Sequence, residues 1–347
     1  MSPEHSPPEQ LSRRLGLGLL PIYGLGTIVG GGFYGLVGLL AGRPQMAAPI
    51  AFVVASLIAA LSAVSFAELS ARFPYSAGEA HYAREAFGRR WLSTVVGWMV
   101  IATGVVSAAT LARIFAEFGQ TFVDVPAWVL AGGAVVLLGL VAAWGIAESV
   151  WLGALITLVE VGGLLYLVWE GWHHLGDLPD RLPEIVPLTW SGWSGVMLGA
   201  YLAFYSFVGF EDIVNVAEEV KRPTRTLPRA IFLSIGITAA IYLVVSLVTV
   251  LAVPPQELRA SSSPLSLLLD PTGPGPQIIT IVGMFAGING ALVQIVMAAR
   301  VAYGLASRGR APQVLARVHP RAKTPLAATG LMTLLVLALA PQFPIPS

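Results

Sequence analysis

Glu160 stands inside an apolar stretch, Leu155-Ile-Thr-Leu-Val-Glu-Val-Gly-Gly163, and so places a carboxyl group where hydrocarbon-like side chains surround it. Glu211 and Asp212 follow an aromatic run, Phe204-Tyr-Ser-Phe-Val-Gly-Phe210, interrupted by Ser206 and Gly209. A third apolar stretch holds Gly24, Gly26, Gly30, Gly31, Gly32 and Gly35. Each glycine of the 30–32 triplet costs about 1 kcal/mol in a helix interior, so unwinding is favoured there. An unwound helix exposes amides that attract anions and carbonyls that attract cations. A carboxyl at the same depth carries a proton or meets a basic partner, because an isolated charge in hydrocarbon is expensive. The chemistry available is therefore binding of a small charged molecule and movement of a proton. No nucleophile, base and orienting group can be assembled into an enzyme site.

The elements that must position these groups are membrane helices. The 347 residues are 56% hydrophobic and 11% charged, against the roughly one-quarter charged residues of soluble domains. About 20 apolar residues cross a bilayer. Nine stretches qualify: 16–40, 48–70, 91–118, 125–144, 150–170, 195–217, 229–252, 277–305 and the short 325–341. The chain has no cysteine, which excludes disulfides and thiolate chemistry. Residues 1–15 read as a polar, disordered tail without the apolar core of a signal peptide.

Orientation follows from the basic residues, which concentrate on the cytoplasmic side of membrane proteins. With the N-terminus inside, 15 of the 20 Lys and Arg fall in internal segments. Arg43, Arg181 and Arg259 fall outside, and Arg113 and Arg300 lie in or near spans, Arg300 being expected to snorkel to the interface. The expected location is the cytoplasmic (inner) membrane, N-terminus cytoplasmic. Arg113 and Glu117 are spaced for an intrahelical pair.

Glycine or serine interruptions in the first and sixth spans suggest two inverted repeats with a site near the midplane. Residues 16–170 form the first repeat, 171–194 an external loop, and 195–341 a second repeat short of one span. The bland alternative for Gly26 and Gly35 is close helix packing.

Ordered motifs along the chain resemble the amino acid–polyamine–organocation permeases. They are Gly26-x3-Gly30-x-Gly32-Phe33-Tyr34, Phe66-Ala-Glu-Leu-Ser-Ala-Arg-Phe-Pro74, Gly78-Glu79, Arg84-Glu-Ala-Phe-Gly88, Glu218-Glu-Val-Lys-Arg-Pro223, Arg300-Val-Ala-Tyr303 and His319-Pro320. The resemblance implies an all-α integral membrane protein of about nine spans. It also implies a LeuT-like inverted five-helix repeat with helices 1 and 6 broken. It implies a secondary transporter of amino acids or related amines, working by alternating access. The substrate carboxylate would meet the amides of Gly30, Gly31 and Gly32. Its ammonium would meet carbonyls near Thr27 and Ile28, and near Phe204, Tyr205 and Phe207, with Ser206 and Gly209 at the second break.

By the same resemblance Tyr205 is a gate over the substrate, with simple packing the alternative. Many members of the family have Lys at the position of Glu160. A carboxyl there suggests proton coupling, with a protonated packing residue as the alternative. Glu211 is an inner gating candidate. Between Ile281 and Ala306 there is no Ser or Thr, and the side-chain carbonyls are Asn289 and Gln294, which weighs against sodium. Asn289 joins the coupling candidates.

The family has ten core spans, so a chain of nine is expected either to lack C-terminal helices or to use a partner. A non-transporting truncated permease, sensor or accessory membrane protein is the alternative function. The expected partners are the amino-acid or amine substrate, protons and the lipid bilayer. No cofactor, metal or nucleic acid is implied; the adjacent His173 and His174 lack companions at metal-ligand spacing.

Overall fold

A computed structural model describes residues 11–29, 33, 45–261 and 263–342. The helices in chain order are α1 (Leu20–Val29), α2 (Ala48–Arg72), α3 (Gly78–Phe87), α4 (Arg90–Gly119), α5 (Ala127–Trp144) and α6 (Ile146–Gly171). They continue with α7 (Leu178–Ile185), α8 (Trp190–Tyr205), α9 (Pro223–Ala252), α10 (Pro255–Ala260), α11 (Gly275–Ser307) and α12 (Leu326–Leu339). A 3₁₀ helix, Phe210–Glu219, continues the path of α8. Among the described residues the one β-type pairing is a bridge between Leu15 and Val220.

Seven helical segments are long and apolar enough to cross a membrane: those built on α2, α4, α5, α6, α8, α9 and α11. The first and ninth expected spans appear as shorter apolar helices, α1 and the segment Leu326–Gln342. The continuation of α1 through Gly30–Gly32 lies outside the described residues. Elsewhere the helices begin and end within a few residues of the expected spans. α3, α7 and α10 are additional: they lie in connections whose polar composition carries no span signal.

Packing sorts the spans into two groups. α1, α2, α8 with its 3₁₀ continuation, and α9 pack together; α4, α5, α11 and α12 form the other group, and α6 bridges them through α1, α9 and α11. The first and sixth spans therefore share a group, as do the second and seventh, the third and eighth, and the fourth and ninth.

Small residues allow the close approach. Ala51, Ala55, Ala59, Ala63 and Ala67 recur every four residues and form one buried stripe on α2, the helix that packs along α8 and α9. Hydrocarbon supplies no hydrophobic drive between helices, so dispersion across such tight seams holds them together. α11 is the most enclosed of the seven long spans, buried almost continuously from Asn289 to Ala306.

Arg300 on α11 corrects the snorkelling expectation. Its guanidinium is fully buried and clasps Glu219, with Nη2 donating to Oε1 at 3.0 Å and Nε to Oε2 at 3.3 Å. The side chain turns inward because the end of the broken sixth span delivers a carboxylate into the bundle, and a bidentate pair offsets desolvation better than a lone charge can. Next to it, the Leu15 amide donates to the Glu219 carbonyl at 3.0 Å, and the Lys221 amide donates to the Leu15 carbonyl at 2.7 Å. The N-terminal segment is thereby tied to the sixth span.

Arg300→Leu leaves Glu219 buried without its partner and should cost roughly 3–5 kcal/mol of stability. The double change Arg300→Leu with Glu219→Leu should recover most of that loss. Thermal unfolding of the purified protein in detergent checks both.

Candidate functional site

The sixth span breaks where the sequence suggests. α8 ends at Tyr205, and the Phe207 and Val208 amides donate to the carbonyls of Phe204 and Tyr205 at 2.9 and 3.2 Å. Gly209 has φ +124°, a conformation that side-chain-bearing residues rarely adopt, and a Cβ there would collide with the Thr27 carbonyl. Glycine is required because two backbones meet: the turn of the sixth span rests on the end of α1. The Gly209 amide donates to Glu211 Oε2 at 2.9 Å, and the chain resumes as a tighter 3₁₀ helix.

Tyr242 of α9, which the sequence reading missed, sits at this meeting point. Its hydroxyl lies 3.1 Å from the Ile28 carbonyl and 3.3 Å from the Ser206 carbonyl, and so serves the ends of both interrupted helices. Its ring stacks on Phe33 at 4.0 Å and meets Phe207 edge-on at 5.4 Å. One hydroxyl hydrogen is thus shared between backbone acceptors of α1 and of the sixth-span turn. The signal available was a tyrosine inside an otherwise aliphatic span, which is weak in a membrane protein rich in aromatics.

Glu160 is fully buried on α6, facing α11. Asn289 Nδ2 donates to Glu160 Oε1 and to Thr157 Oγ1, each at 3.0 Å. The Thr157 hydroxyl donates in turn to the Gly153 carbonyl at 2.8 Å. Gly26 of α1 closes the cluster: a Cβ there would strike Thr157 Oγ1 and would lie 2.7 Å from Asn289 Nδ2. The structure therefore brings Glu160 and Asn289 together and sets them against the residue preceding Thr27. Gly26 is here because of packing and polarity at once.

Several buried polar atoms around the breaks have no hydrogen-bond partner among the described residues: Tyr23 OH, Ser206 Oγ, Asn289 Oδ1 and Gln294 Oε1. Buried polar groups are nearly always satisfied, so such a concentration marks a place for water or ligand. Gly30, Gly31 and Gly32, the expected anion-binding amides, lie outside the described residues. Tyr205 is 63% exposed and distinct from the packed Phe207; Phe204 is half-buried.

On the polar side of the sixth-span break, Asp212 is buried and accepts from Gln294 Nε2 at 2.7 Å. Asn215 links the 3₁₀ helix to α3, accepting from the Gly78 amide at 3.1 Å and donating to Glu79 Oε1 at 3.0 Å. Glu218 Oε1 accepts from the Ser76 amide at 3.0 Å, while Arg308 Nη1 donates to the Ser76 carbonyl at 3.1 Å. These bonds clamp α3, the 3₁₀ helix and the end of α11 over one end of the bundle. Burial drives the Glu79 carboxyl up to about 7, with the Glu211 charge adding to the rise. Burial and the nearby Arg308 push His81 down. Away from the breaks, Arg113 and Glu117 form the intrahelical pair that their spacing implied, at 3.2 Å.

The model of the amino acid permease family matches residues 18–342. An uncharacterised transporter of Mycobacterium tuberculosis is 31% identical over 96% of this chain and 74% of its own length. Human cationic amino acid transporter 4 is 29% identical over 92% of this chain and 54% of its own. The branched-chain amino acid permease of Bacillus subtilis is 26% identical over 96% and 76%. Among solved structures, MhsT in complex with L-phenylalanine matches with a TM-score of 0.63 at 16% identity, covering 96% of this chain and 80% of MhsT. That similarity is one of fold.

Tyr242→Phe strips the Ile28 and Ser206 carbonyls of a shared donor and should cost about 1–3 kcal/mol of stability, read as a lower unfolding midpoint. The raised Glu79 pKa means the folded state holds a proton that the unfolded state releases, so stability falls as pH rises from about 4.5 towards about 7. Glu79→Gln should flatten that part of the profile and raise the unfolding midpoint at pH 8. Thermal unfolding across pH 4 to 9 measures it.

Proposed function

This chain belongs to the amino acid permease family, and on that footing we propose that it moves amino acids across the cytoplasmic membrane by alternating access, with its N-terminus cytoplasmic. The observation that carries the reading is the contact between the sixth-span break and α1, Gly209 against Thr27, with the Tyr242 hydroxyl shared between the Ile28 and Ser206 carbonyls. A zwitterion needs donors for its carboxylate and acceptors for its ammonium. The amides of Gly30–Gly32 suit the first; the carbonyls at Thr27 and Ile28, with the unsatisfied Ser206 Oγ, suit the second.

The clamp of α3, the 3₁₀ helix and α11 shuts the Lys- and Arg-rich end of the bundle. Inward release requires that clamp to open. Glu218, Asn215 and Arg308 are its polar fastenings, and Glu211 braces the turn at Gly209. Tyr205, exposed beside the break, is the gate over the substrate in this reading.

Glu160 is the coupling residue. It contacts the first break through Asn289, Thr157 and Gly26, so a change in its protonation alters the packing that α1 must leave when it moves. Asn289 can donate to a carboxylate or to the carbonyl oxygen of a carboxylic acid, and so accommodates both states. Protons, or exchange of one amino acid for another, drive transport in this reading, and sodium does not. The relatives carry cationic and branched-chain amino acids, and neutral substrates are favoured here because the acids of the sixth span are already engaged within the protein.

Uptake of radiolabelled amino acids into proteoliposomes tests this. An inward proton gradient should stimulate uptake at least several-fold, and Glu160→Gln should abolish the stimulation while leaving exchange in place. Equal stimulation in the variant would remove Glu160 from coupling. Absence of saturable binding or transport with any amino acid would overturn the reading itself.

A further inference from the structure

We propose that a cleft at the corner between α5 and α6 binds the phosphate headgroup of an anionic phospholipid. The cleft measures about 300 Å³ and lies apart from the helix breaks. Arg14 reaches it from the N-terminal segment, and Arg321 and Lys323 from the loop before α12. Three cations from two segments about 300 residues apart thus line one concavity, against a single acid, Glu148. His319 lines the cleft too, and its Nδ1 accepts the Ala322 amide at 3.2 Å.

The walls are preformed. The Thr324 hydroxyl donates to the Ala143 carbonyl at 3.0 Å and pins the loop to the end of α5. The His319 amide donates to the Thr324 carbonyl, and the Lys323 amide to the His319 carbonyl, both at 2.9 Å. Lys323 holds φ +53°, a left-handed conformation that the surrounding bonds stabilise. On the other side, Leu15 is bridged to Glu219 and Lys221, which fixes the backbone next to Arg14. A rigid concavity binds with less ordering cost than a floppy basic tail.

The shared chemistry is a phosphate; the surroundings select a lipid. Trp144 lines the cleft and is 73% exposed, and behind it on the same face of α5 come Leu140 and Leu137, 65% and 60% exposed. The spacing of 137, 140 and 144 makes one apolar stripe running from the cleft into the membrane span. Trp151, Leu155 and Leu158 form a matching exposed stripe on α6. An acyl chain would lie along these stripes while its headgroup occupies the cleft; a free phosphate uses only the headgroup end. Tryptophan at the level of the headgroups is the usual interfacial anchor, and basic pockets between membrane helices are where anionic headgroups bind. The assignment to the cytoplasmic leaflet rests on the orientation proposed above, and the site itself does not. Through Arg14 and the Leu15 bridge, the bound lipid steadies the N-terminal segment against the sixth span.

Native mass spectrometry of the full chain, titrated with phosphatidylglycerol or phosphatidylcholine of identical acyl chains, tests the site. Arg14→Gln with Arg321→Gln should weaken the tightest phosphatidylglycerol binding by about thirtyfold and leave phosphatidylcholine unchanged. Arg14→Lys with Arg321→Lys should restore most of it. The charge-matched control, Arg225→Gln with Arg229→Gln, should leave it intact, and the unfolding midpoints in detergent alone should agree among all variants. Equal losses in both Gln pairs would mean diffuse attraction and overturn the site. So would equal binding of the two lipids. Displacement of phosphatidylglycerol by millimolar inorganic phosphate would overturn the lipid assignment in favour of a soluble anion.

Discussion

A helix interrupted inside hydrocarbon leaves amides and carbonyls that water cannot satisfy, and the bundle is arranged to meet that requirement. The break of the sixth span is set against α1, so that Gly209 rests on Thr27 and a single tyrosine on α9 reaches carbonyls of both segments. The backbone groups left over, together with the unsatisfied Ser206 and Asn289 oxygens, are the binding capacity that the proposed function draws on. Binding and instability at the midplane are two aspects of one constraint. A helix that is continuous there has nothing to offer a zwitterion.

The remaining helices make that contact possible at close range. The alanine stripe on α2 lets α8 and α9 come near, and Gly26 lets α1 reach the polar cluster on α6 and α11. Glu160 is therefore joined to the first break by a short chain of contacts: carboxyl, Asn289 amide, Thr157 hydroxyl, glycine backbone. Any group in this chain senses a displacement of α1, because the packed neighbours leave no room for independent adjustment.

Charge is handled differently at the two depths. Within the bundle, Arg300 and Glu219 neutralise each other as a bidentate pair, which joins the end of the sixth span to α11. Around α3 the fastenings are instead single hydrogen bonds from Asn215, Glu218 and Arg308, several of them to backbone groups, and each is weaker than the bidentate pair. A rigid brace beside a weaker clamp suits the opening at one end that the proposed transport cycle requires.

The sequence by itself determined the span positions, because crossing a bilayer demands long apolar runs, and it located the sixth-span break, because Gly209 and Ser206 are poor company for a membrane helix. It also singled out Glu160 as anomalous. The tertiary structure decided the rest. Arg300 looked like a snorkelling residue because its partner lies 81 positions away in the chain, and only folding brings Glu219 beside it. Asn289 was noted as an oxygen donor, yet the contact that gives it meaning spans 129 positions. Tyr242 carried only a weak local signal, since a tyrosine in a span is ordinary until two backbone carbonyls converge on its hydroxyl. Local propensity and hydropathy act over a few turns of chain, whereas the pairing of buried polar groups is fixed by which helices pack together, and that is settled only when the whole bundle closes.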